Sequence, residues 1–284
     1  MSIIRVVTDS DASLPEELAE QYGIGVVPIN IHVGDETLRT DIDIDDAELF
    51  RIIEEDGVVP TTSAPTPGQF ADAFERAFID EADEVFCICV SSEVSATYSA
   101  ALQARTLLPD QSITVMDSRS ISMGLGFMAI EAAEVARDGG SLEAMVAAAE
   151  SVRERTSLYA ALATLKYLAM SGRVGHLVAG MADVLRIKPI LTMIDGKLDM
   201  LEKVRTRNKA LARVIQLTQS SLGDQSAERM AILHVDAEED ARKFTISLRE
   251  ALPCPDDILL ADFTAGLSLH TGKGLLGVVA VTPE

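Results

Sequence analysis

Glu84-Val85-Phe86-Cys87-Ile88-Cys89-Val90 runs directly into Ser91-Ser92-Glu93-Val94-Ser95-Ala96-Thr97-Tyr98. The first seven-residue stretch is nearly all apolar, as expected of a strand covered on both faces; a half-exposed strand would alternate. A helical pattern follows from about Ser95 to Leu108. The hydroxyl cluster between them therefore links the carboxyl end of a strand to the amino end of a helix. In open α/β sheets, ligands bind outside the carboxyl ends of the strands. A helix amino terminus offers free N–H groups and a partial positive charge, which suits an anion.

The flanking segments repeat this β-α rhythm. Ile3–Val7 reads as a strand, and Ser13-Leu14-Pro15-Glu16 as an S-x-x-E capping box before a helix. Gly25–His32 reads as a strand broken by Pro28, and Asp45–Glu55 as a helix with Leu49, Ile52 and Ile53 on one face. Thr66-Pro67-Gly68-Gln69 is a second start signal, opening a helix to about Ala82. Ser112–Met116 is a strand and Ser122–Arg137 a helix. This alternation predicts an α/β layer fold with a largely parallel sheet.

The second half is less regular. A long helical pattern from Ser141 to Met170 breaks at Ser171-Gly172-Arg173-Val174-Gly175. Lys188–Ile194, a turn at Asp195-Gly196-Lys197 and Leu198–Val204 read as a hairpin. The helix Asn208–Leu222 follows. Arg229–Val235 and Asp257–Ala261 are strands separated by the helix Ala237–Leu252, and Leu276–Val281 is the last strand. A hairpin in this set predicts a mixed sheet. Two domains are expected: residues 1–156, three layers around a largely parallel sheet, and residues 157–284, α/β around a mixed sheet.

Composition excludes several functions. Among 284 residues, 24 Lys and Arg face 45 Asp and Glu, a formal net charge of −21. That surplus opposes nucleic-acid capture, which needs cations for phosphate, and lasting contact with an anionic membrane. No run of about 18 apolar residues occurs. An acid follows closely on the short apolar N-terminal run, so no signal peptide is expected and the chain reads as soluble and cytoplasmic. The three cysteines (Cys87, Cys89, Cys254) fit a reduced compartment. Cys87 and Cys89 read as small core residues, one on each strand face. No His or Cys spacing suits a metal, so none is expected.

Three segments carry more Ser, Thr and Gly than a plain loop needs: 60–68 with Thr62 and Ser63, 90–98 with Ser92, Ser95 and Thr97, and 268–274 with His270. Gly272 and Gly274 flank His270 closely and permit near approach of the backbone to a ligand. Of the other three histidines, His32 lies in a strand, His234 at a strand end and His176 beside Gly175. The Gly266–Lys273 stretch fails as a phosphate loop: five residues intervene between Gly266 and Gly272, and Gly274 stands where Ser or Thr is required. No G-x-S-x-G elbow is present. A serine hydrolase triad without a local signature stays open.

Taken in order, the motifs resemble those of the DegV family of bacterial fatty acid-binding proteins. Val7-Thr8-Asp9-Ser10 with Leu14-Pro15 is similar to the family's opening motif. Thr62-Ser63-Ala64-Pro65-Thr66-Pro67-Gly68 with Phe70, Ser91-Ser92 with Ser95-Ala96-Thr97-Tyr98, and Asp117-Ser118 with Ser122-Met123-Gly124 resemble its next three. Leu165-Lys166-Tyr167-Leu168 with Ser171-Gly172-Arg173, then Lys188-Pro189-Ile190-Leu191 and His270-Thr271-Gly272-Lys273-Gly274, resemble the rest.

The resemblance implies a two-domain carrier rather than an enzyme. One long-chain fatty acid would sit with its carboxylate at the interdomain cleft and its acyl chain in an apolar tunnel of the C-terminal domain. The carrier would present the carboxylate to a separate ATP-binding kinase subunit, and the acyl-phosphate would pass to an acyltransferase of phospholipid synthesis. No cofactor beyond the bound fatty acid is implied, and membrane contact would be transient. Carried over, Thr62, Ser63, Ser95 and His270 are the expected carboxylate ligands, with Ser92 and Thr97 ranked lower. Gly272 and Gly274 are the loop glycines, and Arg173 and His270 the expected kinase contacts. Ala64, Ala96, Ser268 and Lys273 depart from the family pattern at Gln, Gly, Gly and Pro positions. Lys273 is expected to add a cation beside the head group, and Glu93 to point away from it.

Elementary energetics are compatible with this. Each buried methylene is worth roughly 0.8 kcal/mol, so a sixteen-carbon chain offers on the order of 10 kcal/mol before entropic costs. Neutral hydroxyls then suffice for the head group. Leu158, Leu162, Leu165, Leu168, Met170 and Leu191 are among the apolar residues available as cavity walls. Two alternatives stay open: a stand-alone acyl- or phosphoryl-transfer enzyme using His270, and a fatty acid sensor without a kinase partner.

Overall fold

The computed structural model describes residues 2–171 and 187–284. Its residues form two compact units, Met1–Asp43 with Thr62–Glu154, and Ile44–Thr61 with Arg155–Glu284. The main division falls at 154–155. The excursion of 44–61 into the second unit is new.

The first unit opens with β1 (Ile4–Asp9), α1 (Glu16–Tyr22), β2 (Gly25–Val27), β3 (Asn30–Val33) and β4 (Glu36–Arg39). After α2 (Asp46–Arg51), which belongs to the second unit, come β5 (Thr61–Ser63), α3 (Pro67–Ile79), β6 (Glu84–Cys89), α4 (Thr97–Leu107), β7 (Ser112–Asp117), α5 (Met123–Arg137) and α6 (Leu142–Arg155). The central sheet is parallel throughout, in the order β2-β1-β6-β7. Val7, Cys87 and Ile113 on one face join Phe70 and Phe74 of α3 and Ala101 of α4 in a buried cluster. Val6, Phe86 and Ile88 alternate with these and are also buried, on the face where α5 packs against β1 and β6. Three layers around a parallel sheet result.

Cys87 and Cys89 share one face, with sulfurs 3.6 Å apart. The expected placement on opposite faces is overturned, because residues two apart in a strand point the same way. The capping box at Ser13 does not form. Asp9 instead caps a 3-10 turn over Ser10–Ala12, Ser13 takes the left-handed conformation at φ 49°, and Pro15 stands at the N-cap position of α1. At Thr66 the capping box forms in full, with Pro67 in the first turn of α3. A second, smaller sheet orders β4-β3-β5.

The second unit contains α2, β8 (Thr156–Ala161), α7 (Lys166–Met170), β9 (Lys188–Ile194), β10 (Lys197–Val204), α8 (Arg207–Leu222), β11 (Arg229–His234), α9 (Glu238–Ala251), β12 (Ile258–Asp262), α10 (Ala265–Thr271) and β13 (Leu276–Val281). The sheet order is β10-β9-β8-β13-β11-β12, antiparallel except for β11 beside β12. Ile190, Ile232 and Val278 pack with Val214 of α8 and Phe244 and Leu248 of α9. Leu191, Ala231, Leu233 and Val279, on the opposite face, are buried as well.

β8 lies inside the Ser141–Met170 stretch, whose pattern predicts a helix. Thr156-Ser157-Leu158-Tyr159-Ala160-Ala161 carries no helix-stop signal, yet β13 pairs with it along its whole length. The pairing overrides the local preference. Ala160 fits because Gly277 opposes it; a Cβ at Gly277 would stand 3.0 Å from the Ala160 Cβ.

Candidate functional site

The Thr62–Ser63 segment is held from β3. Asn30 and His32, two residues apart, share a face of that strand. The Asn30 Nδ2 donates to the Gln69 Oε1 at 3.0 Å and to the Ala64 carbonyl at 3.3 Å, and the Gln69 Nε2 donates back to the Asn30 Oδ1 at 3.0 Å. The His32 Nε2 lies 2.9 Å from the Ser63 Oγ, and its Nδ1 lies 2.9 Å from the Thr37 Oγ1. Thr62 is half-buried and Ser63 exposed. The start of α3 is thereby tied to a strand more than 30 residues earlier, through side chains with no conspicuous motif of their own.

The loop after β6 is held from β1 and β7. The Val90 amide donates to the Asp9 Oδ2 at 2.8 Å, and the Asp11 amide to the Asp9 Oδ1 at 3.0 Å. Burial pushes the fully enclosed Asp9 carboxyl up to about 7, against the lowering effect of those two amides. Ser92 gives both its amide, at 3.1 Å, and its hydroxyl, at 2.5 Å, to the Asp117 carboxylate. Its proton is thus committed to an acid of the chain itself. The Ser95 and Thr97 hydroxyls are 2.8 Å apart, and the Thr97 amide donates to the Ser95 Oγ at 3.3 Å. Thr97 is buried, Ser95 half-buried and Glu93 exposed.

α3 leads down into the start of β6, and α4 leads away from its end. Both helices therefore begin at the carboxyl edge of the parallel sheet, and they pack along each other. The topology brings Thr62, Ser63, Ser95 and Thr97 to the edge where α/β sheets bind ligands.

In the second unit, His270 is half-buried on the last turn of α10, a helix where a loop was expected. The Ser268 Oγ donates to the Asp46 Oδ2 at 2.8 Å, joining α10 to α2. Gly272 ends α10 at φ 78°, and a Cβ there would lie 2.2 Å from the Tyr167 ring. Tyr167 meets Phe50 edge to face at 6.1 Å. The Lys273 ammonium sits 5.0 Å from the Phe50 ring centre, 3.2 Å from Asp236 and 3.4 Å from Glu54. Burial lowers its pKa, but the two carboxylates outweigh this and hold it above the ordinary lysine value. The expected free cation is thus already neutralised within its own unit. Gly274 takes φ 80°, its amide donates to the Val235 carbonyl at 2.8 Å, and its carbonyl accepts from Arg207 at 2.5 Å.

A cavity of about 560 Å³ opens at the carboxyl ends of β11 and β12, lined by Arg207, His234, Asp236, Asp262 and Lys273 among others. Its charged walls do not suit an acyl chain. Arg173 lies outside the described residues. Among the described residues no group of three His, Cys, Asp or Glu is placed to hold a metal ion, and no helix is long and apolar enough to cross a membrane.

The model of the DegV family matches residues 3–283. A DegV domain-containing protein of Streptomyces coelicolor is 36% identical over 97% of this chain and 97% of its own length. Protein DegV of Bacillus subtilis is 30% identical over 97% of this chain and 98% of its own. Among solved structures, one described as fatty acid binding of a DegV family protein from Thermus thermophilus superposes with a TM-score of 0.88 at 30% identity, covering 99% of both chains. One described as DegV, a fatty acid binding protein from Bacillus subtilis, has a TM-score of 0.90 at 29% identity and covers 100% of both chains.

Proposed function

Because the chain belongs to the DegV family, we propose that it binds one long-chain fatty acid and presents it to a separate ATP-binding kinase subunit. The Thr62, Ser63 and Ser95 hydroxyls and His270 receive the carboxylate. The acyl chain occupies the apolar interior of the second unit. The observation carrying this reading is the convergence of two hydroxyl-bearing helix starts on the carboxyl edge of a parallel sheet, in a fold whose neighbours are described as fatty acid binding.

The site suits a carrier. Neutral hydroxyls and backbone N–H groups satisfy a carboxylate without the strong grip of a buried cation. Release is then compatible with an acyl chain whose burial supplies most of the affinity. Thr97 supports Ser95 from within the fold rather than touching ligand, and Ser92 is spent on Asp117. Gly272 and Gly274 shape the turn beyond His270. Arg173 and His270 serve the contact with the kinase subunit. The acyl-phosphate passes to an acyltransferase of phospholipid synthesis, and the carrier works in the cytoplasm with brief membrane visits.

Extraction of the purified protein followed by gas chromatography, with native mass spectrometry, tests the binding. One acyl chain per protein, or uptake of one palmitate or oleate, is expected. A lipid-free preparation that takes up neither overturns the reading. Turnover of ATP or of an ester by the isolated chain, lost in His270→Ala, would instead establish a stand-alone enzyme.

A further inference from the structure

Thr37, His32 and Ser63 form a continuous row across β4, β3 and β5. His32 pairs directly with Thr37 in the β3–β4 register. Its two ring nitrogens each stand 2.9 Å from a hydroxyl oxygen, Thr37 on Nδ1 and Ser63 on Nε2. A neutral imidazole has one donor and one acceptor nitrogen, so the ring hydrogen decides the direction of both bonds. With hydrogen on Nδ1, Ser63 must give its own proton to Nε2 and turns only lone pairs outward. With hydrogen on Nε2, Ser63 accepts from the ring and keeps its proton to give elsewhere.

A carboxylate only accepts hydrogen bonds. Ser63 can serve one only in the second arrangement, which Thr37 completes by donating to Nδ1. We propose that His32 is a positioning residue that, backed by Thr37, holds the Ser63 hydroxyl as a donor toward the fatty acid carboxylate. The inference rests on the fatty acid reading above and adds two residues to it. Accepting from an imidazole N–H also polarises the Ser63 O–H and strengthens it as a donor.

Palmitate titration of the native protein and five variants tests this, together with ¹⁵N NMR of the histidine ring in the lipid-loaded protein. His32→Ala is expected to weaken binding roughly five- to tenfold, the net worth of about one ordinary hydrogen bond. Thr37→Val, which keeps the branched strand side chain, is expected to weaken it in the same direction. His32→Gln restores a donor amide near the Nε2 position and is expected to recover most of the loss. The double variant His32→Ala/Ser63→Ala is expected to bind no worse than Ser63→Ala, because one residue acts through the other. The ring spectrum is expected to show hydrogen on Nε2. If native protein binds palmitate while His32→Ala binds equally well, if the two losses multiply, or if Nε2 carries no hydrogen, the inference is overturned and the fatty acid reading stands. If native protein takes up no fatty acid, both fall.

Discussion

Asp9 accepts a hydrogen bond from the Val90 amide at 2.8 Å, so the end of β1 holds the first residue of the loop that follows β6. The carboxyl that does this is buried and protonates at about 7, far above its ordinary 3.8. A carboxyl with a raised native pKa binds its proton more tightly when folded. Its contribution to stability is full below about 3.8 and is lost as pH rises through about 7. Denaturant unfolding of Asp9→Asn should therefore show a flatter pH dependence than native protein across that window. A native stability that rises over the same range, through a slope that Asp9→Asn removes, would contradict the assignment.

Gly272 should tolerate no side chain. Gly272→Ala combines a left-handed φ of 78° with a Cβ 2.2 Å from the Tyr167 ring. A loss of about 1–3 kcal/mol in unfolding free energy is expected from strain and displaced packing. Thermal denaturation of Gly272→Ala alone and with Tyr167→Ala separates the two causes: the second change should return only the steric part.

The hydroxyls of β5 and of the β6–α4 loop should divide by role. Ser95→Ala and Thr62→Ala are each expected to weaken palmitate binding by about 1 kcal/mol. Ser92→Ala should leave affinity near native and lower thermal stability, because its proton goes to Asp117. Calorimetric titration decides it; a large affinity loss in Ser92→Ala would place that hydroxyl on the ligand instead.

Presentation should be separable from binding. His270→Ala and Arg173→Ala are expected to reduce phosphorylation of bound fatty acid by the ATP-binding subunit more than they reduce fatty acid affinity. Turnover measured with saturating loaded carrier, beside the binding constant of each variant, reads the difference. Unchanged coupled turnover in both would remove these residues from the partner contact.

Lys273→Ala should change palmitate affinity little, since its ammonium already faces Asp236 and Glu54. The pairs are partly exposed, so the stability change is expected to stay within about 1 kcal/mol. A large fall in affinity in the same titration would show that the lysine meets the head group.

The sequence by itself determined the elements whose signals are local. The apolar run of β6, the hydroxyls beyond it and the Thr66 capping box all depend on neighbours within a few residues, and the parallel first sheet follows from their alternation. Tertiary structure decided the rest. Thr156–Ala161 is a strand because β13 pairs with it from more than a hundred residues away. Lys273 is neutral in effect because Glu54, in the excursion that joins the second unit, reaches it. Ser63 is oriented by His32, a histidine with no motif around it. Periodicity and caps are read along the chain, whereas pairing, neutralisation and hydrogen-bond direction are set by whichever groups folding brings within about 3 Å.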